Sequence, residues 1–175
     1  MTEAFSSLGN VLGGSDILPG CRAAFEKWHA CVSKIMTGGA ETNELETQQA
    51  FDKFVRDHVH DEVLLDPPTY SGTYTGKIPF RVILSTVGQV FGSSFTYHRQ
   101  WLSNDGREWA LEFTTSIADT GKQIRGIDLV SLDTAGKILS FRILAAPPSG
   151  VGALREEMFS RVPKAMANMA PLSSL

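Results

Sequence analysis

Residues 95–146 read FTYHRQWLSNDGREWALEFTTSIADTGKQIRGIDLVSLDTAGKILSFRILAA, and this stretch decides the fold. Four runs rich in aromatic, aliphatic and β-branched residues, Phe95 to Leu102, Glu108 to Ile117, Ile124 to Leu132 and Lys137 to Ala146, alternate with turn-forming tetrads and triads. Those breaks are Ser103-Asn104-Asp105-Gly106, Asp119-Thr120-Gly121 and Asp133-Thr134-Ala135-Gly136. Asn, Asp and Gly tolerate the backbone conformations of a tight reversal, so each break turns the chain within a few residues. Strands joined so closely pair antiparallel, because a parallel pair needs a crossover of a dozen or more residues. The stretch therefore predicts a four-stranded meander that ends at Pro147-Pro148.

Upstream the hydrophobic period is helical. Ala24, Phe25, Trp28, Cys31, Val32, Ile35 and Met36 recur at three- and four-residue steps, which predicts a helix over 21–37 ended by Gly38-Gly39. After a polar stretch from Ala40 to Glu46, the residues Ala50, Phe51, Phe54, Val55 and His58 predict a second helix over 47–58. Glu62 to Leu65 reads as a short strand stopped by Asp66-Pro67-Pro68, and Tyr70 to Gly76 as a turn or short hairpin. The helical period returns over Lys77 to Phe91, with Pro79 in the first turn where its missing N–H costs little. A last helix, Val151 to Val162, carries Leu154, Met158 and Phe159 on one face, and Pro163 is expected to bend or stop it. The element order predicts an α+β domain in which the helices wrap a strongly curved, mostly antiparallel sheet around one apolar pocket. No repeat is visible, so residues 21–170 are expected to form one domain, preceded by a loosely ordered arm over 1–20.

Bulk properties exclude several function classes. Hydrophobic residues make up 42% of the 175-residue chain and charged residues 20%, which is globular composition. A net charge of −3, with no cluster of Lys and Arg, argues against sequence-independent nucleic-acid binding, which rests on phosphate neutralisation. No apolar run approaches the length that spans a bilayer, so no membrane association is expected. The first twenty residues have neither the basic start nor the apolar core of a secretory signal. Cys21 and Cys31 lie ten residues apart on one predicted helix, almost three turns, too far for a disulfide. They read as two reduced thiols of a cytoplasmic protein. His58 and His60 lack further partners at metal-ligand spacing, so no metal site is expected.

Two aspartates stand out as candidates for chemistry. On a strand, Asp128 shares a face with Val130 and Leu132, while Ile127, Leu129 and Ser131 point the other way. If that face meets the helices, the charged form of the carboxyl is disfavoured, so it can stay protonated near neutral pH and donate a hydrogen bond; the alternatives are pairing with a buried Arg, a loop cap, or an exposed face with Ile127 and Leu129 as the buried pair. Asp66 ends the first strand directly before Pro67, where it is either a turn former or an acid at the pocket mouth. His98 is a third acid–base candidate, or a plain strand histidine. Tyr97 is expected on one face with Phe95, Arg99 and Trp101, and Glu112 on the outer face with Ala110 and Thr114.

The run Gly126-Ile127-Asp128-Leu129-Val130-Ser131-Leu132-Asp133-Thr134-Ala135-Gly136-Lys137-Ile138-Leu139-Ser140-Phe141-Arg142 resembles the nuclear-transport-factor-2-like superfamily, above all its SnoaL-like members. The likeness in element order covers roughly residues 21–160, and includes Ala145-Ala146-Pro147-Pro148 and the last helix. The superfamily holds SnoaL-like polyketide cyclases, ketosteroid isomerases and limonene epoxide hydrolases. In the isomerases the catalytic base lies in an Asp-Pro pair after the first strand, which implies that role for Asp66. Their protonated oxyanion-hole acid lies in an Ile-Asp pair on the penultimate strand, which implies that role for Asp128. In those enzymes two carboxyls take different roles because their surroundings tune them apart. Their tyrosine on the first helix has no counterpart here, where Trp28 and Cys31 stand on the relevant face. The epoxide hydrolase pattern of Arg and Asp on one strand is not reproduced at Arg142. The resemblance thus implies a cofactor-independent acid–base enzyme, an isomerase, cyclase or dehydratase, acting on a small apolar carbonyl compound. Trp28, Phe54, Tyr97, Val130 and Phe141 would line its pocket, and a homodimer would form through the outer sheet face. A non-catalytic ligand-binding or dimerisation module of the same fold is the alternative, with epoxide hydrolysis behind it.

Overall fold

The computed structural model describes residues 16–37 and 44–167. Residues 1–15 of the expected arm, the Gly38-Gly39 stop and the end of the expected domain at 168–170 lie outside the described residues. Helix α1 (Pro19–Thr37) begins two residues earlier than its apolar period, at a proline suited to the first helical position. It is followed by α2 (Glu44–His58), the strands β1 (Val59–Asp66) and β2 (Tyr74–Thr75), and helix α3 (Lys77–Phe91). A short 3-10 turn, Gly92–Ser94, leads into the meander β3 (Thr96–Leu102), β4 (Glu108–Ser116), β5 (Gln123–Leu132) and β6 (Ile138–Ala146). Helix α4 (Pro148–Ala167) closes the described chain; Pro163 lies inside it and does not stop it.

The strands form one sheet in the order β2-β1-β6-β5-β4-β3. The meander is antiparallel as its turns require, and its last strand, β6, comes back beside β1 as a parallel neighbour. Side chains alternate across the sheet, and one parity is mostly apolar: Val63 and Leu65, then Trp109, Leu111 and Phe113, then Val130, Leu132 and Phe141, all buried. The helices cover that face, and one continuous apolar core results. The other face leaves Leu64, Trp101, Leu129 and Leu144 in solvent.

Two further contacts fix the helices. At the start of α1, Gly20 meets the β5–β6 turn so closely that a Cβ on Gly136 would lie 2.2 Å from the Gly20 carbonyl oxygen, and Gly136 has φ +85°. Between α2 and α3, the Asp52 carboxylate and the Arg81 guanidinium form a bidentate pair, with side chains only 5% and 6% exposed. Gln48 Nε2 adds a hydrogen bond to Asp52 Oδ1 at 2.8 Å. Both cysteines are free and buried; burial pushes the Cys31 thiol up to about 11. No helix among the described residues is long and apolar enough to cross a membrane.

The buried pair gives a stability test. Asp52→Ala is expected to destabilise the fold by about 3–5 kcal/mol, because it removes the carboxylate of a bidentate buried ion pair. The double replacement Asp52→Leu with Arg81→Met should recover most of that loss in urea denaturation. A double variant as unstable as the single one would show that the pair itself supplies the stability.

Candidate functional site

The covered face does not close completely. Between sheet and helices lies a cavity of about 70 Å³. Its walls are aliphatic and aromatic side chains from every layer, including Phe113 and Ile143 of the sheet, Ile83 and Val87 of α3, and Leu154 and Met158 of α4. Asp128 is the one acidic or basic residue among the described residues that line it.

Asp128 reaches that position by strand parity. Its neighbours two and four residues on, Val130 and Leu132, are buried core, and Asp128 itself is 5% exposed. Burial pushes its carboxyl up to about 7, against a hydrogen bond from Tyr97 that pulls it down. The Tyr97 hydroxyl donates to Asp128 Oδ2 at 2.5 Å, and the Trp28 indole Nε1–H donates to the Tyr97 oxygen at 3.1 Å. Burial and the adjacent Asp128 hold the Tyr97 phenol well above its ordinary value. Asp128 Oδ1 has no partner among the described residues, yet no buried side-chain nitrogen or oxygen there is left unsatisfied. Oδ1 therefore borders the open space of the cavity.

Tyr97 owes its place to an irregularity in β3. Pairing with β4 shifts register between Tyr97 and Gln100, so Tyr97 and Gln100 face inward while Arg99 and Trp101 face out. The expectation that Tyr97, Arg99 and Trp101 share a face fails at this bulge. Outside, Arg99 pairs with Glu112 at 2.6 Å, which stands on the outer face as expected.

The other expected acids are elsewhere. Asp66 does not share the cavity with Asp128: Val63 and Leu65 face inward, so Asp66 falls on the outer parity with Leu64. There it accepts a hydrogen bond from Arg142 Nε at 2.8 Å, an Arg–Asp pair formed between neighbouring strands rather than within one. His98 also points outward and bonds Thr114 Oγ1 at 2.7 Å, with β4 lying between its strand and that of Asp128. Of the residues expected to line the pocket, Trp28, Tyr97 and Phe141 do so. Phe54 instead packs behind Trp28, ring centroids 5.6 Å apart, and Val130 is core beside Phe141. Sequence reasoning missed the Tyr97–Asp128 bond, for which only the spacing of Phe95 and Tyr97 on an apolar parity was a signal. It also missed Thr69, a buried residue of the cavity wall behind Pro67-Pro68.

No family model matches the sequence, and no curated protein matches it. Solved structures do. A steroid delta-isomerase from Pseudomonas aeruginosa is 28% identical over 86% of this chain and 97% of its own, with a TM-score of 0.70. An uncharacterised bacterial protein with a cystatin-like fold from Silicibacter pomeroyi is 29% identical, covers 86% of this chain and 89% of its own, and has a TM-score of 0.64. An epoxide hydrolase/cyclase-like enzyme of pyran ring formation in the polyether salinomycin shares the fold, at 13% identity over 74% of this chain and 94% of its own and a TM-score of 0.51.

The buried carboxyl ties stability to pH. An unfolded aspartate releases its proton near 3.8, whereas folded Asp128 keeps it to about 7. The fold therefore loses stability as pH rises through that window, by on the order of 4 kcal/mol in full above it. Asp128→Asn, which carries no charge, should lack this loss, so its urea midpoint should gain on the wild type between pH 5 and pH 8. Parallel midpoints over that range would show a carboxyl that titrates normally.

Proposed function

We propose, for a chain that belongs by its fold to the nuclear-transport-factor-2-like superfamily, that the cavity is the site of an acid–base enzyme acting on a small, largely apolar carbonyl compound. The observation that carries this reading is the Asp128 carboxyl, with one oxygen held by Tyr97 and the other facing an apolar cavity. A carboxyl poised near 7 is suited to both taking and returning a proton at neutral pH. It is less suited to the static role of a permanently protonated donor, which needs a value well above the working pH.

The geometry supports a division of labour among three residues. Ionised Asp128 takes a proton from the carbon beside the substrate carbonyl through Oδ1. The C–H electron pair moves into the new C=C bond, and the carbonyl oxygen becomes an enolate. Once Asp128 is neutral, its Oδ2 accepts less strongly, and the Tyr97 hydroxyl hydrogen can turn from it toward the enolate. Trp28 Nε1–H holds the Tyr97 oxygen in place throughout. Donors aimed at developing charge in a dry site are often the largest catalytic contribution. Returning the proton to a different carbon is isomerisation, expelling a β-hydroxyl as water is dehydration, and attack of the enolate on a second carbonyl is cyclisation.

The cavity favours small substrates. Sites for drug-sized ligands run to about 300–1,000 Å³, and this one is about 70 Å³. Asp66 contributes nothing to the cavity, which favours one alternative: a binding module of the same fold without turnover. The Arg142–Asp66 pair lies outside the cavity and lends no support to epoxide opening within it. The exposed apolar residues Leu64, Trp101, Leu129 and Leu144 support a homodimer through the outer sheet face, and two free thiols suit a cytoplasmic location.

Cyclohexanone in deuterated buffer provides the test. Exchange of its α-hydrogens, followed by proton NMR, should be accelerated by the protein and rise with pH to a plateau above about 7. Asp128→Asn should cut that rate by about 10²- to 10⁴-fold, the usual worth of a positioned acid–base group. Binding without exchange would favour the non-catalytic module.

A further inference from the structure

The cavity wall carries a second polar side chain without a hydrogen-bond partner among the described residues, that of Thr69. Thr69 follows Pro67-Pro68 off the end of β1, is 4% exposed, and lines the cavity with both prolines. Its hydroxyl makes no hydrogen bond among the described residues, yet no buried side-chain oxygen there lacks a partner. For so enclosed a residue the open space that the hydroxyl borders is the cavity. A hydroxyl that borders open space in an otherwise apolar wall is available to a ligand oxygen.

Register places the end of β1, three residues before Thr69, relative to Asp128. Asp66 pairs with Arg142 on β6, and the next residue of β6, Ile143, pairs with Asp128 on β5. The chain therefore leaves β1 level with Asp128 and two strands away, roughly 10 Å across the sheet. Among the described residues that line the cavity, none besides Asp128 offers a charge.

Resting on the reading of the cavity given above, we infer that Thr69 is a second polar anchor, and that the ligand is a small neutral molecule with two oxygen functions. Its carbonyl lies at Asp128 and Tyr97. A hydroxyl, ketone or ether oxygen lies at Thr69, and a hydrocarbon body between them fills the apolar middle. Thr69 is a positioning residue that fixes which way round the carbonyl enters.

Two ketones of nearly the same shape test this with the full chain, 4-hydroxycyclohexanone and 4-methylcyclohexanone, titrated while the Asp128 carboxyl carbon is followed by NMR. Thr69→Val should weaken binding of the hydroxyketone by about five- to tenfold, the worth of one neutral hydrogen bond. It should leave the methylketone unchanged or slightly tighter, and Thr69→Ser should retain the wild-type preference. An equal response of both ketones to Thr69→Val overturns the inference while leaving the site at Asp128 intact. Failure of either ketone to move the Asp128 signal in the wild type overturns the reading of the cavity, and the anchor with it.

Discussion

Asp128 is kept from water by the strand that carries it. Val130 and Leu132 must face the helices to build the core, and in a pleated strand that obliges residue 128 to face them too. A carboxylate in such a place costs several kcal/mol unless it is protonated or bonded, and the protein does part of each. One oxygen takes the Tyr97 hydroxyl, and the other is left to whatever enters the cavity.

The rest of the structure holds those few atoms in register. Tyr97 faces inward because β3 shifts against β4 just beyond it. Its oxygen is fixed by Trp28, and Trp28 is fixed by α1, whose first turn seats against the Gly136 turn between β5 and β6. The loop that closes α1 onto the sheet is therefore the loop that joins the strand of Asp128 to its neighbour. On the other flank, the buried Asp52–Arg81 pair ties α2 to α3, and α3 supplies the aliphatic wall opposite. Polar contacts inside the core are rare here, and each of them sets an orientation that apolar packing alone would leave free.

Much of this was legible from residues. The turn-linked meander, the helical period of Lys77 to Phe91 and the common face of Asp128, Val130 and Leu132 all follow from spacings that strands and helices impose. The outward parity of Asp66 was legible as well, since Val63 and Leu65 are the apolar pair of β1 and Asp66 lies one step off them. Family resemblance drew Asp66 toward the cavity, and alternation along its own strand places it with Arg142. The bulge in β3 was not legible, because no glycine or proline marks it and Tyr97, Arg99 and Trp101 fit an unbroken alternation. Nor was Thr69, which lies beyond two prolines where neither periodicity applies.

About 70 Å³ is left open between sheet and helices, and side chains bound it. Phe51, Phe91, Phe95, Phe113, Phe141 and Trp28 converge from both helices and strands, and each occupies space that a larger ligand would need. Rings packed in contact with one another, Phe95 on Phe113 at 5.1 Å and Trp28 on Phe141 at 5.2 Å, resist displacement, because opening one leaves a void beside the next. A cavity so bounded discriminates first by size and only then by polarity. Within the small volume that remains, the free oxygen of Asp128 and the free hydroxyl of Thr69 are what a ligand must answer.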